Sequence, residues 1–281
     1  MTTEVFVMVL GAAFLHAAWN ALIKVNVDRL IMVAVMIISQ LLIATSALPF
    51  VEIPPAESWP YICISTVIHT AYFVFLIKSY RYGDLSHVYP IARGSAPLII
   101  AVVSVVIVGE TLDSQATLSV VLIGFGIMSL TLTRGTSGFS EPKAILYALG
   151  TGVFIAGYTI ADGLGARFAN SAHSYIVWLN MFNGIPTLLL AIYLRKDRFL
   201  IQIRASWKPG VIAGAVSLLA YWIVIWATTL APLALVSAVR ETSMIFAVIF
   251  GVCFLKERLN LARLASTTIT LLGAVILKMN K

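Results

Sequence analysis

The 281 residues are 60% hydrophobic and only 11% charged, against roughly a quarter charged in a soluble domain, so little chain is left for one. The formal charge of +7 does not mark a nucleic-acid binder: the basic residues stand in the breaks between apolar runs and form no interleaved basic and aromatic stripe. They read as topology signals, and the expected surroundings are a lipid bilayer.

A hydrocarbon core about 30 Å thick takes about 20 apolar residues per helix. Runs of that size predict spans over 5–23, 30–50, 58–77, 88–108, 114–133, 144–161, 174–194, 209–230, 233–255 and 261–277. The first, Val5 to Ile23, has no basic n-region and no small-residue cleavage site, so a retained helix is expected and not a signal peptide. On it His16, Asn20 and Lys24 recur at i, i+4 and i+8 and share one helical face. His16 is a candidate proton relay or a satisfied packing histidine, and Lys24 a membrane-edge anchor. Cys63 and Cys253 fall inside apolar runs, with no CxxC and no metal-ligand spacing, and are expected to be buried structural thiols. His69 and Tyr72 in the third run, Trp178 and Asn183 in the seventh and Tyr221 in the eighth are candidate cavity liners.

Ionisable groups inside a span cost at least about 2.5–3.5 kcal/mol each and need a reason. Arg93, Arg240 and Glu241 are the ones expected well inside the spans. Arg93 stands about 8 Å into the fourth span at 1.5 Å per residue. Pro90, Gly94 and Pro97 flank it, which predicts a weakened or broken helix carrying a ligand-binding arginine; snorkelling to the surface or pairing with a carboxylate is the structural alternative. About 100° of turn separates Arg240 from Glu241, which predicts that they face different ways. The links Gly109 to Asp113 and Ala231–Pro232 are too short to recross a bilayer and force antiparallel neighbours, with Glu110 and Glu257 expected as helix caps. Gly124, Gly126 and the small residues from Gly150 to Gly157 are expected to permit close packing, and Arg195 to Lys208 to form a basic loop.

The fourth and ninth runs superpose at an offset of 147: Arg93 on Arg240, Ser95 on Thr242, Glu110 on Glu257, Leu112 on Leu259 and Gly126 on Gly273. The first and sixth align at an offset of 139, Leu10–Gly11 on Leu149–Gly150 and Trp19 on Tyr158. The expected architecture is therefore an all-α polytopic membrane protein of ten transmembrane helices in two five-helix repeats, residues 1–134 and 142–281. Five is odd, so the second repeat enters the membrane in the opposite sense, the plan of many secondary transporters.

Several stretches carry a resemblance: His16–Ala17–Ala18–Trp19–Asn20–Ala21–Leu22–Ile23–Lys24, the segment Pro90 to Pro97, and Gly109–Glu110–Thr111–Leu112 echoed by Lys256–Glu257–Arg258–Leu259. Over essentially its whole length the chain resembles the drug/metabolite transporter superfamily, in its branch with two tandem EamA domains. That resemblance implies a central cavity lined by the first four spans of each half, with the fifth and tenth peripheral, in a plasma (inner) membrane. The stretch Tyr89–Pro90–Ile91–Ala92–Arg93–Gly94 resembles a subgroup associated with phosphonate utilisation. The resemblance leaves the small-molecule substrate open among amino acids, drugs, nucleotide sugars and other metabolites.

The expected substrate-binding set is Arg93, Arg240, Asn20, Tyr158, Tyr89, His16, Glu241, Tyr72 and Trp19. Two arginines at equivalent positions suit a carboxylate or phosphonate through bidentate hydrogen bonds. Neither GxSxG, HExxH nor a Walker loop is present, so no catalytic residue, metal or cofactor is expected. An amino-acid-like or organic-anion transporter working by alternating access is the leading reading. A lipid-linked substrate flippase, an intramembrane enzyme and a scaffold or sensor without transport are the alternatives.

Orientation is contested. Breaks after odd-numbered spans hold Lys24, Arg29, Lys78, Arg81, Arg134, Lys143, Arg195, Lys196, Arg198, Arg204, Lys208, Lys256, Arg258 and Arg263, whereas the other side holds Arg167, Lys278 and Lys281. The positive-inside bias places the termini outside; the resemblance implies termini inside.

Overall fold

A computed structural model describes residues 1–24, 29–83, 85–134, 142–194, 199–253 and 261–279, all of them helix or short connection with no strand among the described residues. Eleven α-helices follow in order: α1 Thr3–Lys24, α2 Arg29–Ala47, α3 Trp59–Tyr82, α4 Leu85–Val103, α5 Ser114–Met128, α6 Pro142–Phe168, α7 Ala172–Leu194, α8 Phe199–Thr228, α9 Leu233–Glu241, α10 Ser243–Cys253 and α11 Leu261–Met279. Eight stretches among them are long and apolar enough to cross a membrane. Large apolar side chains such as Leu42, Val67, Val106, Leu146 and Leu189 are left exposed on the outside of the bundle. A helix satisfies its own backbone in lipid, and the chain is a polytopic membrane protein.

Several expected boundaries shift. The sixth run continues past residue 161 to Phe168, and α8 starts at Phe199, so most of the expected loop from Arg195 to Lys208 is helical, with Pro209 inside the helix. The helix through Arg93 does not break: Pro90 and Pro97 both lie inside α4. Proline lacks an N–H, so Pro97 leaves the Arg93 carbonyl without its intrahelical donor while the helix runs on. Irregularity appears instead about two turns after Pro97, in a π-turn at Ser104–Val108 that ends on Gly109 with φ of 78°, a left-handed conformation that favours glycine. Asp113 caps the next helix by accepting from the Ala116 N–H at 2.7 Å. The ninth run is broken between α9 and α10 at Thr242, whose N–H and hydroxyl both donate to the Val239 carbonyl. Glu257 and the Lys256–Leu259 ending, together with Arg195, Lys196, Arg198 and Lys281, lie outside the described residues, as do the side chains of Lys24, Arg29, Arg134 and Arg204.

Packing crosses between the two halves. Helix α3 lies on α6 and α1 on α8; α4 lies on α6 and α1 on α9 and α10; α2 lies on α8 and α3 on α7; and α2 packs on α7, α4 on α9 and α5 on α11. Exchanging each helix for its counterpart in the other half turns this set of neighbours into itself. The α5–α11 contact repeats the exchange residue by residue. A Cβ on Gly126 would stand 2.7 Å from Thr270 Oγ1, and one on Gly273 would stand 2.8 Å from Ile123, the residue 147 positions before Thr270. Lys278 Nζ donates to Thr3 Oγ1 at 2.6 Å, so the start of α1 and the end of α11 meet at one end of the bundle.

Candidate functional site

Arg93 of α4 and Arg240 of α9 converge in the interior on one carboxylate. Arg93 Nε lies 2.9 Å from Glu241 Oε2, and Arg240 Nη2 lies 3.1 Å from Glu241 Oε1. All three residues are buried, Glu241 completely. The neighbours Arg240 and Glu241 therefore do meet, against the expectation from their angular separation: α9 ends at Glu241, and the long guanidinium side chain folds back to reach its neighbour. The contact from Arg93 is close but misaligned for a hydrogen bond, since Arg93 Nε and Glu241 Oε2 both lack a hydrogen-bond partner. Two guanidiniums sharing one carboxylate leave a net positive charge among buried side chains. The repeat counterpart of Glu241 is Gly94, so the acid is supplied by one half alone.

The first helix closes over this trio. His16 Nε2 lies 3.1 Å from Arg93 Nη2, the His16 and Trp19 rings meet edge to face at 5.0 Å, and Asn20 Nδ2 donates to the His16 carbonyl at 2.7 Å. Arg93 also stands 6.0 Å from the Tyr89 ring centre, a cation–π distance. The Trp19 indole N–H is buried without a partner, and buried donors in that state call for an explanation. His16, Trp19, Asn20 and Tyr89 are only half-buried, and so rim the sealed ion cluster.

An aromatic wall continues from the arginines. Tyr72 meets Tyr158 at 5.9 Å, His69 stacks on Tyr158 at 4.0 Å, and Tyr221 approaches His69 edge-on at 6.3 Å. Asn183 Nδ2 lies 3.4 Å from His69 Nδ1. Behind the wall stands Asp162, 1% exposed, which accepts from the Tyr175 hydroxyl at 3.2 Å on Oδ1 and from the Tyr221 hydroxyl on Oδ2. This interior acid escapes a reading that ends the sixth span at 161; the acid inside the apolar run Tyr158 to Gly165 was the available signal. Its helix continues to Arg167, about 8 Å further at 1.5 Å per residue.

At that end of the bundle a second ionic network ties the halves together. Arg167 Nη2 donates to Glu110 Oε1 at 2.6 Å and to the Ala231 carbonyl at 3.1 Å, and Arg167 Nε donates to the Thr228 carbonyl at 2.8 Å. Glu110 in turn accepts from the Leu233 N–H at 2.9 Å. It is a helix cap, as expected, but of α9 in the opposite half. Arg167 belongs to this network and is more than a loop charge.

All nine expected binding residues lie in or beside the interior polar cluster, and none comes from α5 or α11. Cys63 and Cys253 are exposed, contrary to expectation: an apolar run in a membrane bundle also has an outward face, and both thiols sit on it. A separate apolar groove, lined by Ile91, Phe125, Met128, Ile145, Leu149 and Ile269 with Ser129 and Thr131, includes none of the candidate residues.

A bundle of apolar helices enclosing buried ion pairs defines a polytopic membrane protein with an interior charged site. The chain belongs to the EamA-like transporter family, whose profile matches residues 4–132 and again 142–279. It is 24% identical over 237 residues to an uncharacterized transporter of Archaeoglobus fulgidus, across 79% of this chain and 80% of that one. A solved structure described only as the crystal structure of a protein shares the fold, with a TM-score of 0.74 at 14% identity over 100% of both chains. The protein is thus a membrane transporter of the drug/metabolite type and not an enzyme.

Proposed function

We propose that this protein is a secondary transporter with ten membrane-crossing helices, α9 and α10 forming one span, arranged as two inverted five-helix repeats over residues 1–134 and 142–281. It moves a small polar metabolite across a plasma (inner) membrane by alternating access. The main helix contacts that exchange in pairs between the halves, the reciprocal Gly126 and Gly273 contacts, and termini that meet at one end all support this plan. An even number of crossings returns the chain to its starting side.

The observation that carries the functional reading is the convergence of Arg93 and Arg240, repeat equivalents, on the single buried carboxylate of Glu241. Glu241 is the resident counter-ion. A substrate carboxylate or phosphonate replaces it between the two guanidiniums, with the unpartnered Trp19 N–H and His16 as further polar groups and Asn20, Tyr72, Tyr89 and Tyr158 shaping the space. Arg suits the task because its planar donors match a carboxylate or phosphonate in bidentate fashion. Net positive charge in the trio favours an anionic group over a cationic one.

Alternating access requires one end to open while the other closes. Glu110 and Arg167 hold α4, α6, α8 and α9 together at the end that carries the termini, so this latch must break for that end to open. The test is flux into liposomes holding the full-length protein, with radiolabelled amino acids and, separately, methylphosphonate as probes. Arg93→Ala should abolish uptake of whichever compound the unaltered protein carries. Unchanged flux in that variant removes the arginine from the mechanism.

A further inference from the structure

We propose that Asp162 is the proton-binding site that couples transport to a proton gradient, one proton moving with each substrate. The inference rests on the transport reading above. It also moves the proton-relay role away from His16, which already contacts Arg93.

Asp162 differs from Glu241 in how its charge is met. Two guanidiniums hold Glu241, whereas among the described residues no cation makes an ion pair with Asp162. Its partners are the hydroxyls of Tyr175 on α7 and Tyr221 on α8, one on each carboxylate oxygen, together with the Ser65 hydroxyl on α3. A phenol both donates and accepts. With the carboxylate ionised, both tyrosine hydroxyls donate to it; with one oxygen protonated, that O–H donates and the tyrosine facing it turns to accept. The same cage therefore serves both protonation states with only a hydroxyl rotation, and among the described residues no ion pair locks either one.

Its surroundings also connect it to the substrate site. His69 of α3 is held by the Ser65 carbonyl at 3.0 Å and stacks on Tyr158, one turn before Asp162 on α6. Arg240 of α9 acts electrostatically on Asp162, Tyr158, Tyr221 and His69 alike, and Arg93 of α4 on Tyr158. An anionic substrate entering between the arginines offsets part of the positive charge that favours the ionised form of Asp162, so substrate binding favours proton binding. In the other direction along α6, Arg167 and the latch stand about 8 Å away at 1.5 Å per residue. A proton entering from that end meets Asp162 before it meets the arginine trio, binds one carboxylate oxygen, and leaves to the opposite side after the halves rock.

The full-length protein and Asp162→Asn, a nearly isosteric change, are compared in two arms. In liposomes with the amino-acid mixture and methylphosphonate as probes, a pH difference of one unit should drive roughly tenfold accumulation by the unaltered protein for one proton per substrate, because one unit is about 1.4 kcal/mol. Asp162→Asn should lose that accumulation while counterflow exchange at equal pH persists, and Asp162→Glu should restore it. Gradient-driven uptake that survives in Asp162→Asn, or unaltered protein that answers to a sodium gradient and not to pH, overturns the proposal. The second arm needs no substrate: infrared difference spectra between acid and alkaline pH should contain a protonated-carboxyl stretch that Asp162→Asn removes. A band unchanged in that variant overturns the proposal even where flux is normal. Absence of flux in the unaltered protein counts against the transport reading alone, and the infrared band still decides the proton site.

Discussion

Replacing Glu241 by Gln removes the one negative charge between two buried guanidiniums. The two contacts are 2.9 Å and 3.1 Å, with side chains at most 8% exposed. Two unit charges 4 Å apart attract by about 4 kcal/mol at an effective dielectric near 20, and removing one partner of a buried pair costs about 3–5 kcal/mol because the other is left uncompensated. Here two charges are left uncompensated, and they repel. Against a total stability on the order of 5–15 kcal/mol, the variant should fold but melt lower, with Tm reduced on the order of 10 °C. Binding should move the opposite way. Glu241 competes with the substrate's acid, so Glu241→Gln should bind the transported anion more tightly and turn over more slowly. Titrating that anion should restore more thermal stability to the variant than it adds to the unaltered protein. The assay is thermal unfolding of purified protein in detergent across an anion series, with equilibrium binding alongside. A variant that melts within about 1 °C of the unaltered protein and gains nothing extra from the anion would refute the counter-ion reasoning.

Arg167→Gln and Glu110→Gln should each loosen the end that bears the termini. The assay is labelling of Thr228→Cys by a membrane-impermeant thiol reagent in a Cys63→Ser, Cys253→Ser background: Thr228 is 2% exposed with the latch intact, and either latch substitution should raise its labelling rate. Gly126→Ala and Gly273→Ala should each destabilise by about 1–3 kcal/mol through overpacking, because the added carbons would meet backbone atoms at 3.0 Å and 2.9 Å; thermal melts that differ widely between the two would speak against equivalent repeats. Reporter fusions at the two termini should read the same side of the membrane, and the clustering of basic residues after odd-numbered spans places that side outside.

Much of this was written in the order of residues, because membrane thickness ties helix length to run length and a charged residue inside a run stands out. The 147-residue offset already pairs Arg93 with Arg240 and Gly126 with Gly273; the first pair converges on Glu241 and the second lies in the α5–α11 contact. Asp162 was hidden for a physical reason: an acid at the end of an apolar run marks a helix end unless tertiary partners satisfy it, and Tyr175 and Tyr221 are 13 and 59 residues away. Angular separation misled at Glu241, where the length of an arginine side chain outweighs 100° of turn. Pro90 and Pro97 weigh toward a broken helix, but packing keeps α4 continuous, and the break falls instead in the other half at Thr242. Burial of Cys63 and Cys253 was misjudged because in lipid an apolar residue has two apolar places to go.

The most direct measurement is a double-substitution cycle on equilibrium binding of the transported anion, with Arg93→Lys, Arg240→Lys and both together. If the two guanidiniums grip one anionic group, each change alone should cost most of the affinity and the second should add little, giving a coupling of about 0.5–3 kcal/mol. Free energies that simply add, or affinity untouched by either substitution, would contradict a shared site between the two repeats.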